Sequence, residues 1–309
     1  MATDKAGRAL RSPDPLYMLA FDHRQVLRDL YPGVSSADLE SAKVAVLESL
    51  EAIPQTVATK DSLGFLVDEE YGRDAAKLAS KRGVYLAMPI EASRTRILRL
   101  QYPADYRSRF ERFDPQAVKA LVFHNPADPP ARKREQLSLL RSICDFAHEQ
   151  GRHYLLEVLI AATPQQLAEG GGGKAGFRAS VFPRLLVESI AEMQEYGIEP
   201  DIWKVEGLDT VEDAAAVGAQ ATVAGREDVR CIVLGSGESQ AKVNGWLANA
   251  AAVPAFSGFA IGRTVWHQPV GDMLAGRVAR NVAIETMARS FAGLISAFGR
   301  NTSTVGAEA

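Results

Sequence analysis

Cysteine is scarce in this chain, with Cys144 and Cys231 the two examples among 309 residues. That scarcity excludes a disulfide-stabilised secreted scaffold and predicts a reduced, cytoplasmic protein. No apolar run approaches the roughly 18–20 residues that a membrane-spanning helix needs. The first residues also lack the hydrophobic segment of a signal peptide. We therefore expect no membrane partner.

The chain also lacks an excess of charge of either sign, since its net charge is −3 and its pI is about 6.0. Nucleic-acid-binding surfaces are usually distinctly basic, so a nucleic-acid partner is not expected. The content of 47% hydrophobic and 24% charged residues is that of a globular protein. Disordered and collagen-like chains are thereby excluded.

Short apolar runs alternate with segments of helical spacing along the whole chain. Eight runs are predicted as strands, at residues 16–21, 56–59, 84–88, 118–123, 154–160, 201–205, 231–234 and 256–261. The clearest helices are predicted at residues 37–52, 131–150, 182–196, 211–222 and 240–250. Continuous apolar strands suit a parallel sheet that is buried on both faces. The pattern best fits a (β/α)8 barrel, also called a TIM barrel, and next best a doubly wound open sheet.

No change in composition divides the chain, so one barrel domain is predicted over residues 15–299. Residues 1–14 and 300–309 are expected to form disordered tails, and residues 273–298 a terminal helix. Four consecutive glycines at residues 170–173, followed by Lys174, are interpreted as a flexible surface loop in preference to a lid.

Glycine-rich turns follow the last two predicted strands. Gly235-Ser236-Gly237 follows the seventh and Gly262-Arg263 the eighth, which is where many barrels bind phosphate. Glycine lets backbone N–H groups approach an anion, and arginine adds a charge-assisted contact. Ser236, Gly237, Gly262 and Arg263 are therefore predicted to bind phosphate.

A lysine within an apolar strand needs an explanation, because burying an unpaired ammonium group is costly. Lys204 occupies such a position in the sixth predicted strand and Lys119 begins the fourth. Burial beside a second cation frees an amine for Schiff-base chemistry. Glu157, in the fifth strand, and Glu206, directly after the sixth, are candidate proton-transfer groups. An internal ion-pair network without catalysis explains the same residues, and the pattern alone leaves both interpretations open.

A metal site is the alternative chemistry. His23, His124 and His267 follow predicted strands, where a zinc-dependent aldolase would hold its ligands. No HxH or HExxH spacing supports such a site. We predict that no metal or organic cofactor is required.

Several motifs in fixed order nevertheless resemble a known family. They are MLAFDHR, LVDEEYG, PIEAS, VKALVFHNPAD, LLEVLI, PDIWKVEG and GFAIGRTVW, and the resemblance runs over about residues 16–298. In this order they resemble the 5-dehydro-2-deoxyphosphogluconate aldolase domain of myo-inositol catabolism, which is often fused to 5-dehydro-2-deoxygluconokinase. They are similar in turn to the class I tagatose-1,6-bisphosphate and sulfofructose-phosphate aldolases.

The resemblance implies a (β/α)8 barrel that cleaves a ketose phosphate through a lysine Schiff base. Lys204 would form the imine, Lys119 would be its charge partner, and Glu157 would shuttle protons. Asp22 would orient the imine or a substrate hydroxyl. Arg24 and Glu91, at the ends of the first and third strands, join the predicted substrate-binding residues.

The implied reaction is cleavage of 2-deoxy-5-keto-gluconate 6-phosphate to dihydroxyacetone phosphate and malonate semialdehyde. Tagatose 1,6-bisphosphate and 6-deoxy-6-sulfofructose 1-phosphate are alternative substrates, and a non-catalytic sugar-phosphate sensor is an alternative function. The related aldolases imply a homo-oligomer. The chain departs from the family pattern at Gly207, where a proline is common, and at residues 123–126.

Overall fold

The computed structural model describes residues 13–305. Within that range, eight parallel strands pair in sequence order and close into a barrel. The strands are β1 Leu16–Phe21, β2 Leu63–Val67, β3 Tyr85–Pro89, β4 Ala117–Phe123, β5 His153–Leu159, β6 Ile202–Glu206, β7 Arg230–Leu234 and β8 Phe256–Ile261. The predicted (β/α)8 fold is confirmed.

Helices connect successive strands and cover the outside of the barrel. They are α1 Gln25–Leu30, α2 Ser36–Glu51, α3 Arg73–Arg82, α4 Tyr106–Phe113, α5 Pro130–Glu149, α6 Pro164–Glu169, α7 Lys174–Ser180, α8 Phe182–Glu195, α9 Val211–Thr222, α10 Gln240–Ala251, α11 Arg263–Leu274 and α12 Arg280–Val305. The Ser35 side chain accepts a hydrogen bond from the Asp38 backbone at the start of α2, and Thr210 caps α9 in the same way.

Two apolar layers hold this architecture together. The larger lies between the outer face of the sheet and the helices, and both cysteines, free and buried, belong to it. The smaller fills the barrel interior with side chains such as Met18, Leu66 and Ile232. Because successive strand residues point to opposite faces, each strand supplies both layers.

The second strand is the fold prediction that was wrong. Residues 56–59 lie in a turn, and β2 begins later, at Leu63. Lys60 and Asp61 therefore precede β2, in a short 3-10 helix, instead of following it. Packing explains the glycine at position 64, because a Cβ there would lie 3.1 Å from Leu16 Cδ1 inside the narrow barrel.

The C-terminal part of the chain differs from the expectation in two respects. The predicted terminal helix over residues 273–298 is two helices, α11 ending at Leu274 and α12 beginning at Arg280. Helix α12 continues to Val305, within the range 300–309 for which a tail was expected. Residues 1–12 and 306–309 lie outside the described part of the chain. Among the described residues, no helix is both long and apolar enough to cross a membrane.

Candidate active site

All the predicted site residues line one cavity of about 490 Å³ at the carboxyl ends of the strands. They are Asp22, Arg24, Glu91, Lys119, Glu157, Lys204, Ser236, Gly237, Gly262 and Arg263. Active sites of (β/α)8 barrels lie at this end, because the loops after the strands converge there. The sequence prediction thus grouped residues that the fold brings together.

Strand register places the charged groups of β4, β5 and β6 beside one another. The Cα atoms of Glu157 and Lys204 are register partners, and Lys119 is paired with Leu155 two positions earlier on β5. All three charged residues point into the barrel, because alternate residues of a strand share a face. The Cα atom of Lys119 therefore lies deeper in the barrel than those of Glu157 and Lys204, and its side chain extends towards the barrel mouth.

The Lys119 ammonium group is surrounded by three carboxylates. Its Nζ lies 2.7 Å from Glu91 Oε1, 2.9 Å from Asp22 Oδ2 and 3.0 Å from Glu157 Oε2. Its side chain is only 1% exposed. Burial alone would lower the pKa of Lys119, but the three carboxylates outweigh it and raise that pKa well above its ordinary value. The three carboxylates therefore favour the charged form of Lys119.

Glu157 connects the two buried lysines through a single oxygen. Lys204 Nζ donates to Glu157 Oε2 at 2.9 Å, and the same oxygen also pairs with Lys119. Burial would raise the pKa of Glu157, but Lys119 and Lys204 lower it. A carboxylate in this position is able to take a proton from Lys204 and return it within hydrogen-bonding distance.

The two carboxylates on the other side of Lys119 have opposite pKa shifts. Burial favours the neutral form of Asp22, but Lys119 and Lys204 overcome it and lower the pKa of this carboxyl. For Glu91, burial is the larger effect and raises the pKa despite Lys119 and Arg24. The Arg24 guanidinium is nearly buried and its Nη1 donates to the Glu91 backbone oxygen at 2.8 Å. This pair lies on the β3 side of the mouth.

Across the barrel, the turns after β7 and β8 form a second polar region, which we call the β7–β8 cradle (residues 235–237, Gly262 and Arg263). Arg263 Nη2 donates to the Ser236 backbone oxygen at 3.1 Å. Gly237 has φ +72°, and a Cβ there would lie 2.6 Å from Arg263 Cζ. A Cβ on Gly262 would lie 2.0 Å from the Ala20 backbone oxygen. Glycine at position 237 therefore leaves room for the Arg263 guanidinium, and glycine at position 262 leaves room for the Ala20 backbone.

The Ser236 side chain is hydrogen-bonded to Glu206, which was predicted as a candidate proton-transfer group. Glu206 is also paired with Arg178, which sequence reasoning missed. Ser236 Oγ donates to Glu206 Oε1 at 2.7 Å, and Ser236 has φ +49°, which is unusual for a residue other than glycine. Buried Arg178 donates to the Gly207 backbone oxygen at 2.6 Å and pairs with Glu206 at 3.5 Å. Glu206 and Arg178 thus complete the wall between Lys204 and the cradle.

A second group that sequence reasoning missed fixes the exit of β1. Fully buried Lys43, on α2, donates to the backbone oxygens of Phe21 at 2.7 Å and His23 at 3.0 Å. Its Nζ also pairs with the Asp68 carboxylate. These bonds flank Asp22 on both sides in sequence and therefore fix its backbone. A lysine on an otherwise apolar helix face was the available signal.

The histidines of the alternative metal site do not converge. His23 lies in the cavity, packs edge-on against Trp266, and has its pKa lowered to about 4 by burial. His124 Nε2 lies 2.8 Å from Glu192 Oε2 on α8, and His267 Nδ1 lies 3.2 Å from Tyr31 Oη. Over residues 13–305, no group of three or more His, Cys, Asp or Glu residues is arranged to hold a metal ion.

Packing explains why glycine occupies position 207, where the resemblance leads one to expect proline. A Cβ at this position would lie 2.1 Å from Cδ2 of Trp246, whose ring covers the backbone. Trp246 Nε1 in turn donates to Asp209 Oδ1 at 2.6 Å. The tryptophan occupies the space that a larger residue at 207 would need.

Comparisons with known proteins agree with this architecture. A solved structure of fructose-bisphosphate aldolase from Plasmodium falciparum, in a ternary complex with TRAP and a small molecule inhibitor, is similar with a TM-score of 0.66. The two chains are 13% identical, and the match covers 93% of this chain and 92% of that one. At such identity the likeness is one of fold. A search of curated proteins finds no match. A family model described as "Uncharacterized protein conserved in bacteria (DUF2090)" matches residues 3–302, and the chain therefore belongs to that family.

Proposed function

We propose that the chain is a Schiff-base aldolase that cleaves a ketose phosphate. The observation that carries this proposal is the buried Lys204 amine, hydrogen-bonded to Glu157 Oε2 at 2.9 Å within the barrel-mouth cavity. Imine-forming lysines need a proton acceptor and a substrate-sized cavity beside the amine. The fold likeness to a fructose-bisphosphate aldolase supports the same class of chemistry.

Imine formation begins with proton transfer from the Lys204 ammonium to Glu157. The neutral amine then attacks the ketone carbon, and the proton that the nitrogen loses passes to the carbonyl oxygen, which gives a neutral carbinolamine. Glu157, now a carboxylic acid, protonates the departing hydroxyl, which leaves as water. Lys119 keeps its three carboxylate contacts and stabilises the ionised form of Glu157 after each transfer.

Carbon–carbon cleavage uses the protonated imine as the electron acceptor. Glu157 removes the proton from the hydroxyl one carbon beyond the α-carbon, and the aldehyde forms as the bond between these two carbons breaks. The bond's electrons move to the imine nitrogen and leave an enamine on Lys204. Protonation of the α-carbon and hydrolysis by water release the ketone product and restore the amine. Asp22, ionised beside Lys119, is placed to orient the substrate hydroxyls.

The β7–β8 cradle would hold the phosphate during these steps. Arg263 and the backbone N–H groups of residues 235–237 supply donors on the β7 and β8 side of the cavity. A fixed phosphate sets the position of the ketone relative to Lys204, which is how a bound group lowers the entropic barrier. Arg24, Glu91 and residues 92–95 of the loop after β3 would face the half of the substrate that carries no phosphate.

The substrate we expect is 2-deoxy-5-keto-gluconate 6-phosphate, with dihydroxyacetone phosphate and malonate semialdehyde as products. Turnover of this compound should be compared with that of tagatose 1,6-bisphosphate and 6-deoxy-6-sulfofructose 1-phosphate. Preference for one of them, measured as kcat/KM, identifies the aldehyde half. Thermal stabilisation by all three without any turnover would indicate a sugar-phosphate sensor instead.

Lys204→Met and Glu157→Gln test the mechanism. Lys204→Met leaves Glu157 paired with Lys119 at 3.0 Å, so the barrel should fold while turnover is abolished. Glu157→Gln removes general acid–base catalysis and should lower kcat by about 10²–10⁴. Lys77→Met, on the exposed face of α3, is the matched control. Turnover that survives in Lys204→Met but is abolished by a chelator would refute the imine and favour metal-dependent cleavage.

A further inference from the structure

We propose that Lys174 is a further phosphate-binding residue, which closes the β7–β8 cradle from the side of the β5–α8 connection. The proposal rests on the sugar-phosphate function proposed above and extends it to a residue outside the motifs that predicted the site. Lys174 follows the four consecutive glycines and begins α7. Its ligand would be the phosphate group of the substrate or product.

Lys174 lies beside the β7–β8 cradle. It lines the same cavity as Gly237 and Arg263, and its Nζ is 3.7 Å from Glu238 Oε1. Glu238 belongs to the β7 turn, because its backbone N–H donates to the Gly235 oxygen at 2.9 Å. The ammonium group therefore lies beside the turn that would bind the phosphate, with the Glu238 side chain between them.

The glycine run fixes the backbone of Lys174 over the cavity. Gly171 and Gly172 have φ +84° and +88°, and their N–H groups donate to the carbonyls that end α6. Helix α7 then folds back so closely that a Cβ on Gly176 would lie 1.7 Å from the Gly170 oxygen. The glycine run lies at the surface, as predicted from the sequence, and these contacts give it the form of a compact turn. The Lys174 side chain itself is 79% exposed and free to reorient.

The charges around the β7–β8 cradle favour a second cation beside Arg263. Two carboxylates face the cradle, Glu206 on the Ser236 hydroxyl at 2.7 Å and Glu238 beside Lys174. Glu206 is paired with buried Arg178 at 3.5 Å. Glu238 is therefore the carboxylate whose charge Lys174 offsets when a phosphate dianion enters the cradle. Arg263 lines the same part of the cavity. An exposed pair such as Lys174–Glu238 contributes little stability. Exchanging Glu238 for phosphate, with its greater charge, is therefore favourable for the ammonium.

Calorimetric titration of Lys174→Met with dihydroxyacetone phosphate and with inorganic phosphate tests this role. Loss of one charge-assisted contact should weaken both ligands about tenfold. Lys174→Arg should retain most of the affinity, and Lys77→Met, an equal loss of charge on the distant helix α3, should bind like wild type. Since Lys174 is exposed, these variants should unfold at the wild-type temperature, which is checked by thermal denaturation.

The outcomes separate this inference from the proposed function. Unchanged phosphate affinity in Lys174→Met, or an equal loss in Lys77→Met, would overturn the inference even if the protein is an active aldolase. A loss of phosphate affinity specific to Lys174→Met supports it even if the wild type forms no imine. In an active enzyme, Lys174→Met should raise KM for a phosphorylated substrate and leave its kcat close to that of wild type.

Discussion

Replacing Lys119 by methionine should destabilise this barrel, and the loss should be larger at pH 8 than at pH 5. The substitution keeps the length of the side chain but removes the cation that Asp22, Glu91 and Glu157 share, at distances of 2.7–3.0 Å. After the change, Glu157 keeps Lys204 at 2.9 Å, whereas Arg24 lies 3.8 Å from Glu91. Three nearly buried carboxylates would then share two cations.

The size of the effect follows from burial. Removing one partner of a buried ion pair costs about 3–5 kcal/mol, because the remaining charge is left unpaired. That is a large part of the roughly 5–15 kcal/mol by which a native protein is stable. We expect a loss of this size at pH 8, where all three carboxyls are ionised in the unfolded chain.

The loss should be smaller at lower pH. In wild type the pKa of Asp22 is lowered by Lys119 and Lys204, so its contribution is present above the unfolded pKa and disappears only in acid. Without Lys119, burial dominates and the folded pKa values of these carboxyls rise. A raised pKa contributes stability that is complete below the unfolded pKa and is lost as pH rises through the folded pKa. Each unit of rise recovers about 1.4 kcal/mol at the acidic end.

Urea denaturation at pH 5 and pH 8 measures this directly for wild type, Lys119→Met and Lys77→Met. The free energy of unfolding of Lys119→Met should be closer to that of wild type at pH 5 than at pH 8. The control, which loses an exposed lysine, should follow wild type at both. A Lys119→Met protein as stable as wild type at pH 8, or with an unchanged pH dependence, would refute the electrostatic account of this cluster.

Two further predictions concern other parts of the barrel. Gly237→Ala should lower the free energy of unfolding by about 1 kcal/mol because of its φ of +72°, and should weaken phosphate binding about tenfold by displacing Arg263. Gly225→Ala, with φ +83° and open space around it, should show the conformational cost alone. Equal phosphate affinity in both variants, measured by calorimetry, would contradict the proposal that the β7–β8 cradle binds phosphate. Although burial disfavours its charged form, the hydrogen bond to Asp201 raises the pKa of His148 to about 10. Its contribution to stability should therefore be complete below about pH 6.5 and be lost as pH rises to about 10, and His148→Gln should abolish this part of the pH profile in urea denaturation.

Most of the fold was predictable, because helical crossovers and continuous apolar strands are local patterns. The second strand was not. Residues 56–59 carry β-branched side chains and lie in a turn, whereas β2 contains Gly64. Local β propensity disfavours glycine in a strand, but the space beside Leu16 and Met18 inside the barrel requires it. This requirement for glycine arises only when β1 and β2 pair in the closed barrel, so the local sequence does not show it.

The site was predictable as far as the strands determine it. Alternation along β4, β5 and β6 placed Lys119, Glu157 and Lys204 together, as expected. The contacts of Glu206 with Ser236 and of Lys174 with Glu238 were not visible, because Ser236 and Glu238 follow a different strand. Such contacts depend on how loops meet at the mouth of the barrel, which residue spacing does not encode.

Borohydride reduction of the purified protein with dihydroxyacetone phosphate tests the central claim most directly. Intact mass and peptide mapping should show one adduct, on Lys204, in wild type and in Lys77→Met, and none in Lys204→Met. Adduct formation in Lys174→Met should need a higher concentration of dihydroxyacetone phosphate. A folded wild-type protein that forms no adduct, or an adduct that maps to Lys119, would contradict the assignment of Lys204 as the imine-forming residue.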